Sequence, residues 1–358
     1  MRFRLTLEAT LQRAWMRRGA LACLLWPVSL VYSGLVRLRR QLFLWDILKT
    51  RRVNAVVIVV GNVVAGGVGK TPAVISIVRH LQNQSKQGKQ GKKVGVISKG
   101  YGRQSRDCVE VLPSTLVSVG GDEPLLIHKA THAPVFVAQS RWEAATALLK
   151  RYPDTEIIVC DDGLQDYTLF RDIEICVFDD RECGNGWLLP AGPLRDPWPR
   201  PNVERCGAIA EKLLLINTGK KPVAGQFQAH RSLGEGLKDI HGHTVAWSQL
   251  HHWQGLPLKA LAGIARPEVF FRMLREQGVV LDQTQALPDH FDIGRATLAA
   301  MQPCQIICTE KDASKVWAYD SSALSSELIQ TLEPEFFDAL ERQIAQPESA
   351  RLSLDYGH

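Results

Sequence analysis

The stretch VNAVVIVVGN (53–62) runs almost directly into VAGGVGKTP (64–72), and this junction narrows the fold more than any other feature of the chain. A run so rich in β-branched residues is too apolar for a surface strand and fits a parallel strand covered on both faces. AVISIVRHLQ (73–82) then follows with helical spacing. Strand, glycine loop, Gly69-Lys70-Thr71 and helix is the order a phosphate-cradling P-loop requires, because backbone N–H groups and a helix N-terminus must face one anion. Lys70 is expected to neutralise phosphate charge and Thr71 to offer its hydroxyl to Mg2+. Val64, Ala65, Gly66, Gly67, Val68 and Gly69 complete the expected cradle for the triphosphate of ATP. The strict pattern has glycine where this chain has Val64; GGVGKT is intact.

A nucleotide site also needs an acidic residue at the end of a second buried strand. EIIVCDDGLQ (156–165) offers Asp161 and Asp162 there, suited to hold Mg2+ directly or through water. Further strand-like runs lie at 92–100, 133–141, 173–181 and 212–217, with helical stretches between several of them. That alternation predicts an α/β fold, a P-loop NTPase-like doubly wound and mostly parallel sheet, whose ligands sit at the carboxyl ends of the strands. SKGYGR (98–103), GGDEP (120–124), DDGLQ (161–165) and LLPAGPLRDP (188–197) all fall at such ends. A simple ATPase needs fewer, so a bulky second substrate beside the γ-phosphate is expected.

Charge is unevenly placed. Residues 1–52 hold eleven Arg or Lys against Glu8 and Asp46, a net of +9, while the whole chain is +6, leaving −3 for the remainder. A nucleic-acid enzyme would spread basic charge over its working surface, so no nucleic-acid partner is expected. Between Arg18 and Arg37 lie eighteen uncharged residues, interrupted by Pro27. As a helix they would extend about 27 Å against a hydrocarbon core of about 30 Å. Arg13, Arg17 and Arg18 precede the run and Arg37, Arg39 and Arg40 follow it, with Trp15, Trp26 and Trp45 nearby. Near-symmetric basic flanks suit a helix in or dipping into an anionic leaflet better than an oriented span. The competing reading is a helix buried in the protein's own core. Eight scattered cysteines form no CxxC pair, which fits a reducing compartment and suggests neither zinc nor a disulfide framework.

Taken in order, SKGYGR, GGDEP, DDGLQ, PAGPLRDP, GIARPEVFF (263–271), PDHF (288–291) and TEKDA (309–313) resemble the tetraacyldisaccharide 4'-kinase (lipid A 4'-kinase) family. The resemblance covers roughly residues 10–320 and is carried by the ordered set, since GVGKT alone is generic. It implies transfer of the ATP γ-phosphoryl group to the 4'-hydroxyl of an acylated glucosamine disaccharide 1-phosphate. The product would be lipid IVA, made at the cytoplasmic face of the bacterial inner membrane in lipid A biosynthesis. It further implies two α/β domains with the active site in the cleft between them, and no required protein partner is evident. By the same resemblance Asp122 would be the general base, supported by His290, with Arg195 on phosphate and Asp196 near the metal. From the residues alone, Asp122 could simply begin a helix. Lys99, Tyr101, Arg103 and Gln165 would meet the substrate. Asp196 stands where the family commonly has Glu, Asp166 where it commonly has His, and Lys99 where Arg is common.

At 358 residues two domains are expected. The expected division is a membrane-associated helical arm at 1–52, a P-loop kinase domain at 53–217 and a linker at 218–236. A smaller C-terminal α/β domain (237–345) and a polar tail (346–358) complete it. The rival function is a membrane-associated switch ATPase of the MinD/ParA type. That class carries a lysine just before the glycine pair, where this chain has Ala65.

Overall fold

Residues 10–83, 91–200, 213–289 and 291–345 are described by the computed structural model. The chain divides into two units, residues 1–229 with 332–358, and residues 230–331.

The apolar arm is one helix, α1 (Ala20–Leu44), which continues through Pro27 and takes in Arg37, Arg39 and Arg40. Its polarity is inverted. Ala22, Ser29, Ser33 and Phe43 are buried, whereas Leu24, Val28, Val31, Leu35 and Leu38 are exposed. The exposed set recurs at three- and four-residue intervals and so forms one stripe. Only 17% of the apolar window is buried, which rules out a core helix.

β1 (Val56–Gly61) leads through the glycine loop into α2 (Lys70–Gln82). The first unit continues with β2 (Val94–Ser98), β3 (Val109–Val111), α3 (Asp122–Thr131) and β4 (Val135–Val137). After these come α4 (Arg141–Arg151), β5 (Ile157–Asp161), β6 (Ile173–Phe178), β7 (Leu213–Asn217) and the start of β8 (Phe227–Lys238). The strand order is β3-β4-β2-β5-β1-β6-β7-β8, parallel except that β3 runs against β4. β1 lies between β5 and β6, with Val60 level with both Asp161 and Ile175. The chain winds outward on one side of β1, returns to fill the β5 position, then continues on the other side. That reversal opens a crevice at the carboxyl ends of β1, β2 and β5.

The apolar run of β1 follows from cover on both faces. Ile58 and Val60 pack in a cluster with Val74, Ile77 and Leu81 of α2, while Val57 and Val59 pack in another with Ala144 and Leu148 of α4. Each such buried side chain contributes about 1.5–3 kcal/mol relative to exposure.

Two expected boundaries are corrected. The linker placed at 218–236 contains strand: β8 begins at Phe227 and pairs with β7 through Ile216. A Cβ at Gly236 would lie 2.3 Å from the carbonyl oxygen of Val245, so this glycine serves close strand approach. The helix Pro334–Ile344, which lies inside the expected second domain (237–345), instead buries Phe336 and Leu340 in the α2 cluster of the first unit. Glu341 sits 2.9 Å from Nε2 of His80 on α2.

The second unit holds the rest of β8, paired antiparallel with β9 (Thr244–Ala246). Its parallel strands are β10 (Leu258–Ala262), β11 (Gln283–Ala286), β12 (Gln305–Thr309) and β13 (Leu324–Leu332), ordered β11-β10-β12-β13. Thr309 caps the helix that follows β12 by accepting from the Asp312 amide, and the Asp312 carboxylate accepts from Gly263 N–H at 2.8 Å. The ends of β10 and β12 are thereby joined.

Candidate active site

The glycine loop closes at Gly69, which adopts φ +92° immediately before α2, a conformation that L side chains reach only with strain. Around it the loop is held from three directions. Arg181 donates to the carbonyls of Ala65 (3.1 Å) and Gly67 (3.3 Å), with its Nε on Asp179. Thr218 donates to the Val68 carbonyl at 2.8 Å. Ala65 N–H donates to Pro193 O at 2.7 Å, and Val64 bridges to Leu194. Val64 is buried with Leu194 in the core cluster on the α4 face. The departure from glycine at 64 therefore anchors the loop by packing.

Asn62, at the end of β1, organises the charges. Its amide nitrogen donates to the carbonyls of Val64 and Gly66, and its Oδ1 accepts from Lys70 at 3.2 Å and from Arg195. Arg195 forks onto Asp162 at 2.9 and 3.3 Å, and Lys70 lies 3.5 Å from the same carboxylate. Burial would raise the Asp162 carboxyl, but Lys70 and Arg195 outweigh it and hold the group well below the usual range.

Its neighbour behaves in the opposite way. Asp161 is fully buried, and its Oδ1 has no hydrogen-bond partner among the described residues, while Oδ2 is 3.5 Å from the Ser98 hydroxyl. Burial, then the charges of Glu123 and Asp162, push it up to about 7. Adjacent residues on one strand end thus separate into a paired anion and an orphaned carboxyl. Among the described residues no group of three or more His, Cys, Asp or Glu side chains is placed to hold a metal. Mg2+ characteristically takes only one or two carboxylates, with phosphate oxygens and water completing its shell. An orphaned buried carboxylate oxygen within reach of the Lys70 charge is compatible with that.

GGDEP and SKGYGR meet beside this pair. A Cβ at Gly121 (φ +86°) would lie 3.1 Å from Cα of Gly100, so the two loops touch backbone to backbone. Asp122 opens α3, is buried, and accepts from the Glu123 amide at 3.0 Å. Lys99 reaches Asp166 at 3.6 Å. Arg141, almost wholly buried, donates to Asp166 at 2.9 Å and to the carbonyls of Asp161 and Asp162.

Other expected site residues point elsewhere. Asp196, expected near the metal, accepts instead from Arg200 (3.3 Å) and Tyr167 (3.5 Å) within a buried network that includes Glu174. The shorter Asp side chain is consumed by this network. Gln165 donates to the Asn62 carbonyl at 2.9 Å, and Arg103 to the carbonyls of Asp107 and Arg106. Tyr101 is 74% exposed. His290 lies outside the described residues.

The family model for tetraacyldisaccharide-1-P 4'-kinase matches residues 21–347. The chain belongs to this family. It is 49% identical over 351 residues to the tetraacyldisaccharide 4'-kinase of Polaromonas sp. (strain JS666), covering 97% of this chain and 99% of that one. A relative of the same name from Acidovorax ebreus is 47% identical, covering 96% and 97%. A crystal structure described as the "apo" form of LpxK from Aquifex aeolicus in complex with ATP aligns with TM-score 0.69 at 24% identity, over 90% of this chain. The family's fold is therefore also the fold of this chain.

Asn62, Arg141, Arg181 and Thr218 were not singled out by sequence reasoning. Asn62 carried a usable signal, a polar residue closing an apolar strand just before the glycine loop; the others act through long-range contacts.

Proposed function

We propose that the chain is an ATP-dependent lipid kinase that transfers the γ-phosphoryl group to the 4'-hydroxyl of tetraacyldisaccharide 1-phosphate, giving lipid IVA. The observation that carries this is the convergence of the P-loop, the Asp161–Asp162 doublet, Asp122 and Arg195 at one end of the first unit's sheet. Family membership supplies the acceptor. Residues 66–71 bind the triphosphate through backbone N–H groups and Lys70, Val64 and Ala65 anchor the loop instead through packing and the Ala65 N–H bond to Pro193, and Arg195 adds positive charge beside them. Asp122 accepts the proton of the attacking hydroxyl. Thr71 and Asp161 are suited to hold Mg2+, with Asp162 in reach of the same position through water. The ion, when bound, neutralises charge developing on the phosphate oxygens. Lys99, Tyr101 and Arg103 remain proposed contacts for the lipid sugar. Asp196 is not retained as a metal ligand.

In vesicles containing the disaccharide 1-phosphate, ATP turnover should depend on that acceptor and fall to background without it. Turnover indifferent to the acceptor would favour the switch-ATPase reading.

The membrane-facing part of the proposal rests on α1. Its stripe Leu24, Val28, Val31, Leu35 and Leu38 is exposed along a helix whose other face is docked, which suits burial in the plane of an anionic leaflet. The cytoplasmic face of the inner membrane is the proposed location, since ATP and the lipid acceptor meet there. Replacing Leu24, Val31 and Leu35 together by Asp should weaken binding to anionic phospholipid vesicles by about 100-fold or more. The melting temperature should barely move, because these side chains touch little protein. Unchanged vesicle binding in a co-sedimentation assay would contradict the assignment.

A further inference from the structure

The inward face of α1 is hydrogen-bonded to the segment that carries Arg195. The Tyr32 hydroxyl donates to the Arg195 carbonyl at 2.9 Å. One turn earlier, the Ser29 hydroxyl donates to Leu188 O at 2.8 Å and accepts from Ala191 N–H at 2.9 Å. Trp26 packs on Trp187 with ring centroids 6.3 Å apart, and Arg18 lies over the same Trp187 ring at 5.1 Å. On its other side this segment grips the phosphate loop. Arg195 N–H donates to Val63 O and Pro193 O accepts from Ala65 N–H, both at 2.7 Å. The backbone of Arg195 is thus clamped between α1 and the stretch that follows β1, and its side chain forks onto Asp162 and meets Asn62.

We propose that Tyr32, assisted by Ser29, is a positioning residue for phosphoryl transfer, through which α1 sets the Arg195 guanidinium against the P-loop. Tyr32 touches no substrate; it acts by fixing the peptide that aims Arg195. A side chain placed to meet charge that develops in the transition state loses effect when misplaced by a fraction of an ångström. Loss of the hydroxyl should therefore be felt in turnover more than in nucleotide affinity. The inference rests on the kinase reading above.

The test uses the full chain in vesicles with ATP and the acceptor lipid. Tyr32→Phe keeps the ring and should lower kcat about five- to tenfold, while KM for ATP stays within about twofold. Vesicle binding should be unchanged. The decisive arm combines Tyr32→Phe with Arg195→Ala: if Tyr32 works through Arg195, it costs nothing further in that background. A Tyr32→Phe variant with wild-type kcat would overturn the proposal, as would the same fold-loss in both backgrounds. Ser29→Ala supplies an independent arm, with a smaller kcat loss that also vanishes without Arg195. If the unsubstituted chain transfers no phosphate to the lipid, the kinase reading fails, and that result is distinct from failure of the Tyr32 inference.

Discussion

Lys70→Ala lowers γ-phosphoryl transfer by about a thousandfold or more, measured with radiolabelled ATP at saturating acceptor. Lys70 is the one lysine of the phosphate loop, held by Asn62 at 3.2 Å and by Asp162 at 3.5 Å, so its ammonium is aimed before any phosphate arrives. Pre-aimed charge costs no reorganisation during the reaction. The substitution leaves Asp162 paired with Arg195 at 2.9 Å, so no carboxylate is stranded and the fold should persist. Retention of most of the transfer activity would remove the phosphate loop from the mechanism.

Asp122→Asn lowers kcat by about 10²- to 10⁴-fold and leaves the dissociation constant for ATP within about twofold. The carboxylate is buried at the first residue of α3, where it accepts from the Glu123 amide. An amide oxygen can keep that hydrogen bond, which separates the local structural role from the proton-accepting one. An Asn variant with normal turnover would leave Asp122 only its hydrogen bond at the start of α3. Lost ATP affinity with unchanged turnover would place it in nucleotide binding.

Much of the first unit was legible because its strands are buried on both faces. β1, β2, β5 and β6 announce themselves as apolar runs, and the motifs at their ends are the loops that converge. The second unit was harder to read. β8 reads FQAHRSLGEGLK and β11 reads QTQA, polar sequences whose strand character comes from pairing with neighbours. The two glycines of β8 resemble a flexible connection until β9 is seen lying against Gly236.

Within the site, residue types were readable and their pairing was not. Sequence treats Asp161 and Asp162 as equivalent, but one meets two cations and the other stays buried with an unpartnered oxygen. Asp196 shows the reverse problem. Its place beside Arg195 suggests a shared role, yet the two side chains diverge, one toward the P-loop and one toward Arg200. Asn62 gathers contacts from residues up to 133 positions away, which no local pattern encodes.

Phosphoryl transfer by this chain requires that a triphosphate held by residues 66–71 give its terminal phosphoryl group to a lipid-borne sugar hydroxyl. The most direct test is incubation with ATP, Mg2+ and vesicle-borne tetraacyldisaccharide 1-phosphate, followed by mass spectrometry and NMR of the extracted lipid. The prediction is one added phosphate at the 4' position, formed by the wild-type chain and lost with Lys70→Ala. Lipid recovered unchanged while ATP is consumed, or phosphorylated at another position, would contradict it.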